Sequence, residues 1–218
     1  MPKKEEESTD TLIELYKQRK TKIKVRLKEF KDKMNSDDNT IFSELVFCLF
    51  TPQSGAKKCD KAVKRLEETN LILEGSATEI AKQLKGVRFH NTKSARVVAA
   101  RTIFTENNRI CIKQKLTTIN TPKELREWLI KNITGLGYKE SSHFLRNIGL
   151  GFDMAILDRH ILKNLVNYGA IDSIPKTLTR SKYLEIEQKM RDFSNNTGIP
   201  LAELDLLLWS KETGEIFK

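Results

Sequence analysis

The spacing of apolar residues constrains this chain more than any other feature: steps of three and four recur along almost its whole length, and two-residue alternation is scarce. Leu12, Tyr16, Ile23, Leu27, Phe30 and Met34 set the pattern and share one stripe of a single long amphipathic helix. The polar stretch 35–39 breaks it. From Ile41 to Phe50 the chain is too uniformly apolar to face water on any side, which predicts a buried helix that Pro52 ends or bends. Ser76-Ala77-Thr78-Glu79 and Thr121-Pro122-Lys123-Glu124 have the capping-box form, the second with proline at the first helical position. Further helices are expected over 56–69, 93–106, 139–149, 156–168, 181–194 and 201–211. The predicted fold class is all-α.

At 218 residues the chain can bury a core without help from metals or disulfides. Its 39 Lys and Arg against 29 Asp and Glu give a formal charge of +10, which favours a polyanionic partner such as nucleic acid but says nothing of chemistry. Cys48, Cys59 and Cys111 are widely spaced and form no C-x-x-C pair, so neither a disulfide framework nor a zinc site is indicated, and a reducing compartment is expected. The N-terminus, Met1 to Glu7, is charged where a signal peptide would turn apolar and reads as a frayed end. No run approaches the ~20 apolar residues of a membrane helix, so the expected location is cytoplasmic or nuclear.

The segment richest in chemistry is Ile133-Thr134-Gly135-Leu136-Gly137-Tyr138-Lys139, between one expected helix and the next. Two glycines around one apolar residue permit a tight turn with positive φ and a close approach of backbone to something outside. Amides from such a turn, with the N-terminus of the following helix, form an anion cradle suited to a DNA phosphate, and Leu136 would plug the turn into the core. A bare Gly-x-Gly is equally an ordinary glycine-capped helix connection. The residues after the glycines are more specific: Lys139 opens the next helix, and Asp158 stands nineteen residues beyond at the start of another. A lysine near a helix N-terminus is disfavoured in its charged form, which suits an amine nucleophile. An aspartate at a helix start can be a simple N-cap or a catalytic carboxylate.

Gly135-Leu136-Gly137-Tyr138-Lys139 with Asp158 resembles the signature of the helix-hairpin-helix DNA glycosylases, and of their bifunctional branch in particular, where the hairpin lysine is the nucleophile. Phe47-Cys48-Leu49-Phe50-Thr51-Pro52-Gln53-Ser54 is similar to that family's buried helix and following loop, whose Asn or Gln enters the gap left by a flipped base; this makes Gln53 the candidate wedge. The stretch from Leu206 to Lys218 resembles the end of the archaeal-type 8-oxoguanine glycosylases, in which a terminal lysine carboxylate reaches the damaged base and Phe89 and Trp209 would stack on it. An acceptor there makes physical sense, because the oxidised base gains an N7–H donor that guanine lacks.

The resemblance implies two helical subdomains with a DNA-binding and active-site cleft between them: residues 1–39 packing with 153–218, and residues 40–152 containing the hairpin 133–139. It implies a monomeric repair enzyme acting on duplex DNA containing oxidised guanine, with a lysine Schiff base, β-elimination and no cofactor or catalytic metal. A monovalent cation between the Ile133 and Leu136 carbonyls and a phosphate is a further family feature. Iron-sulfur relatives carry four cysteines near the C-terminus, and none follows Cys111 here. Two alternatives stay open: an oxidised-pyrimidine glycosylase of the same fold, and a non-catalytic hairpin module that binds DNA. Ser141 and Ser142 read as packing residues, His90, His143 and His160 as surface or capping histidines, and the basic stretch from Lys17 to Lys33 as a solvated helix face.

Overall fold

The apolar stripe near the N-terminus forms α1, Thr9–Lys33, which buries Leu12, Tyr16, Ile23 and Phe30. The computed structural model describes residues 7–218, so the charged stretch 1–6, expected to fray, lies outside the described residues. Asp37 starts α2, Asp38–Phe50, by accepting the Thr40 amide, and every residue from Ile41 to Phe50 is buried, as continuous apolarity requires. Next come α3, Ala56–Glu68, and the short α4, Leu71–Glu74. The Ser76–Glu79 capping box starts α5, Ala77–Gln83, and α6 spans His90–Phe104. Strands β1, Thr105–Glu106, and β2, Arg109–Ile110, pair around Asn107 and Asn108, both at positive φ as a two-residue hairpin turn demands. Then follow α7, Ile112–Thr117, and α8, Pro122–Asn132, begun by the Thr121–Glu124 capping box. Four more complete the chain: α9, Tyr138–Asn147; α10, Arg159–Asn167; α11, Arg180–Thr197; and α12, Leu201–Thr213.

The chain divides into two units, one formed by the N-terminal residues to Lys31 with Phe152–Lys218, the other by Asp32–Gly151. In the second, α2 is the central rod. Phe42 meets Phe104 of α6 edge-on, and Glu44 accepts the Asn147 amide of α9 at 2.7 Å. His143 was expected at the surface; it is buried, with its ring edge-on to Phe47 at 5.5 Å, because its position on α9 faces α2. Ser141 and Ser142 are fully buried on the same helix, Ser142 accepting from the Arg126 guanidinium of α8 at 3.1 Å. In the first unit α10 packs against α12, Leu165, Leu204 and Leu208 are fully buried, and Tyr16 of α1 donates to Glu203 at 2.7 Å. Among the described residues no helix is long and apolar enough to cross a membrane.

Candidate active site

The hairpin follows from a few local requirements. Ile133 closes α8 and is buried, and the Leu136 amide donates to its carbonyl at 3.1 Å, tightening the turn. Gly135 sits at φ +100°, where a side chain is strained, and a Cβ there would lie 2.5 Å from Cδ of Arg96. Leu136 inserts into the core beneath. Gly137 is the N-cap of α9, and Glu140 reaches back to its amide at 3.3 Å; having no side chain, Gly137 leaves the other amides of that first turn uncapped by its own residue. A turn of this kind offers backbone N–H groups, the positive end of a helix and, from α6, the Arg96 guanidinium to an anion. One lone pair of the Ile133 carbonyl is taken by the Leu136 amide; its other, with the Leu136 carbonyl, would supply two of the several oxygen donors that a monovalent cation takes.

Lys139 is the second residue of α9, and its side chain is 21% exposed. Its Nζ lies 3.2 Å from Thr51 Oγ1 and 3.8 Å from Glu140 Oε1. The Thr51 hydroxyl donates its own hydrogen to the Cys48 carbonyl at 2.9 Å, so its oxygen presents lone pairs to the amine. The amine is thus held by acceptors while a fifth of the side chain remains open to a substrate.

Thr51 also begins the loop that carries Gln53. Gln53 is exposed and stands at φ +55°, a conformation that non-glycine residues rarely adopt and that the surrounding structure must enforce. On either side of Gln53 the chain is bonded to one side chain of α6, Lys93. Only 1% exposed, it donates to the Phe50 and Pro52 carbonyls at 2.7 Å each and to Ser54 Oγ at 3.0 Å. Ser54 Oγ in turn accepts the Arg88 amide at 3.0 Å, tying this loop to the segment that presents Phe89. Phe89 is 54% exposed, stands at φ +56° before the first turn of α6, and has the Arg88 guanidinium 5.4 Å from its ring centroid.

Lys93, Thr51 and Arg96 were not singled out from sequence. A signal existed for the first: Phe89, Lys93, Val97, Ala100 and Phe104 follow helical steps, which puts a lysine in the apolar stripe of α6.

The other unit holds the remaining candidates. Asp158 is the N-cap of α10, its Oδ1 accepting the amides of His160 at 2.8 Å and Ile161 at 2.9 Å. The residues before it are irregular and buried, fixed by Tyr183, which donates to the Ala155 carbonyl at 2.7 Å and accepts the Leu157 amide at 3.3 Å. That lead-in explains why α10 begins at Arg159 and not at 156. Asn164 ties α10 to α12, donating to Glu212 at 3.1 Å and accepting from Lys211 at 3.1 Å. Trp209 is half-buried on α12 with its ring 6.3 Å from that of Phe217, and Gly214 at φ +82° turns the chain into the segment ending at Lys218. Gln53, Phe89, Gly135, Leu136, Gly137 and Lys139 therefore share one unit, and Asp158, Trp209 and Lys218 share the other.

A family model described as 8-oxoguanine DNA glycosylase matches residues 23–199. The chain is 47% identical over 216 residues to the 8-oxoguanine DNA glycosylase/AP lyase of Fusobacterium nucleatum, covering 99% of this chain and all of that one. The crystal structure of the Methanocaldococcus jannaschii 8-oxoguanine glycosylase/lyase in complex with a 15mer DNA containing 8-oxoguanine superposes with a TM-score of 0.85 at 37% identity, covering 95% of this chain and 100% of that one. The Thermotoga maritima 8-oxoguanine DNA glycosylase gives 0.84 at 29% identity, covering 96% and 98%.

Proposed function

This chain belongs to the 8-oxoguanine DNA glycosylase family, and from that membership we infer that it is a bifunctional glycosylase and AP lyase that removes 8-oxoguanine in base excision repair. The observation that carries the chemistry is Lys139: an amine at the mouth of a phosphate-cradling hairpin, oriented by the lone pairs of Thr51 and still partly open.

A base in a duplex is out of reach of any side chain, so the nucleotide has to be turned out and the gap filled. Gln53, exposed on a loop held in an unfavourable backbone conformation, suits the filling role. The turn through Gly135, Leu136 and Gly137 brings the N-terminus of α9 up to a phosphate, which it grips without reading sequence. Phe89 and Trp209 offer aromatic faces to the extruded base, and Lys218 supplies the contact that tells the oxidised purine from guanine. The neutral amine of Lys139 attacks C1′ of the sugar as the bond to the base breaks, while the Asp158 carboxylate stabilises the positive charge growing on the sugar. Loss of a proton and of the ring oxygen's bond to C1′ gives a Schiff base between Lys139 and the sugar. That iminium acidifies the adjacent C2′ hydrogen and allows β-elimination of the 3′ phosphate, so one residue serves both reactions. The enzyme acts as a monomer on duplex DNA inside the cell, and a monovalent cation at the Ile133 and Leu136 carbonyls would add to the grip on phosphate.

Borohydride reduction of a mixture of protein and duplex containing 8-oxoguanine tests this reading. A covalent protein–DNA adduct is expected from the wild type and none from Lys139→Gln. An adduct formed equally by Lys139→Gln would assign the nucleophile elsewhere; no wild-type adduct would refute the lyase mechanism.

A further inference from the structure

We propose that Lys93 is a positioning residue for base extrusion: its buried ammonium clamps the Pro52–Ser54 loop in the one conformation that presents Gln53. The inference rests on the reading of Gln53 as the group that fills the gap.

The case begins with the cost of placing a lysine at 1% exposure. An apolar side chain of the same length would fill the space without taking a charge out of water, so core packing alone does not call for an ammonium here. What the ammonium adds is three N–H donors, and three acceptors surround it: the carbonyls of Phe50 and Pro52 and the hydroxyl of Ser54. The first lies at the C-terminal end of α2, where unpaired carbonyls concentrate negative charge, so charge and hydrogen bonding agree. The other two bracket Gln53 on either side. Residues 52 and 54 are thereby fixed to one point on α6, and Gln53 between them has little freedom to leave φ +55°. Burial pushes the Lys93 amine below the usual lysine range; the thiol of Cys59 and the carboxylate of Glu140 oppose that, and the charges of Arg96 and Lys139 add to it.

A double-mutant cycle on excision of 8-oxoguanine from duplex DNA tests the clamp, using Lys93→Met, Gln53→Ala and the double variant, each checked by thermal melting. Gln53→Ala and Lys93→Met are each expected to lower single-turnover duplex excision by about tenfold, with the double variant no slower than Lys93→Met alone. Trapping on a single-stranded abasic oligonucleotide, where no stacked gap has to be filled, should fall by a smaller factor in both. Multiplying effects in the double variant would overturn the clamp while leaving Gln53 as the wedge. No effect of Gln53→Ala would remove the wedge reading and the clamp with it. Where Lys93→Met does not fold, Ser54→Ala, which removes the loop-side hydroxyl from both Lys93 and the Arg88 amide, takes its place in the cycle: a double variant no slower than Ser54→Ala supports the clamp, and multiplying effects overturn it.

Discussion

Gly135 and Gly137 show how differently two residues of one motif can be constrained. At Gly135 the backbone has φ +100° and an added Cβ would meet the Arg96 side chain at 2.5 Å; at Gly137 φ is negative and the nearest atom is Glu140 Oε2 at 3.2 Å. Alanine at 135 therefore incurs backbone strain of ~1–3 kcal/mol whatever Arg96 does, while alanine at 137 asks only for a small shift of a flexible carboxylate. Gly135→Ala should lower the melting temperature by about 2–12 °C, given ~2–4 °C per kcal/mol at this size, and Gly137→Ala by clearly less. Fluorescence anisotropy with undamaged duplex should show the larger affinity loss at 135 as well; equal losses would mean that the turn geometry is not what grips phosphate. Gly135 was legible because the backbone conformation of its turn admits almost nothing else. Lys93 and Thr51 were not, since the sequence shows a lysine on an apolar stripe but not the three carbonyl and hydroxyl oxygens that make burying it tolerable.

Asp158 belongs to the scale of the helix, where its two readings can be separated. As N-cap it satisfies two amides of α10 through Oδ1, a task that asparagine performs equally well. As the carboxylate facing a developing cation it needs its charge. Asp158→Asn should then leave the urea midpoint close to wild type and cut excision by about two orders of magnitude or more, whereas Asp158→Ala should lose the same activity and in addition ~1 kcal/mol of stability. Equal activity of Asp158→Asn and wild type would reduce the residue to a cap. Most helices were readable in this way, from start signals and stripes together: both capping boxes form as written, and α1, α2, α3, α11 and α12 fall within a few residues of their expected bounds. The pieces left unread, α4, α7 and the β1–β2 hairpin, span two to six residues each, too short for any periodicity to show. His143 was misread for a related reason: a single polar residue carries no mark of which side of α9 faces α2.

At the scale of the molecule, the formal charge of +10 and the lesion-reading groups act on separate terms of binding. The first boundary between the two units falls after Lys31, inside the continuous stripe of α1, where expectation put it after residue 39. Charge, by contrast, is additive and legible. Lysines and arginines that neutralise phosphates release counterions from damaged and undamaged duplex alike, so both affinities should fall by about 10³–10⁵ between 50 and 200 mM salt if 6–10 phosphates are engaged. The contacts to the base proposed for Phe89, Trp209 and Lys218 would release none. The two log–log plots should therefore run parallel, offset by a lesion preference that does not change with salt. Deleting Lys218 should shrink the offset and barely change the slopes, because it removes one cation at most from the phosphate count. A steeper slope for the lesion-bearing duplex would mean that discrimination comes from extra phosphate contacts made on bending the DNA, and would move the basis of specificity from the base pocket to the hairpin and the basic surface.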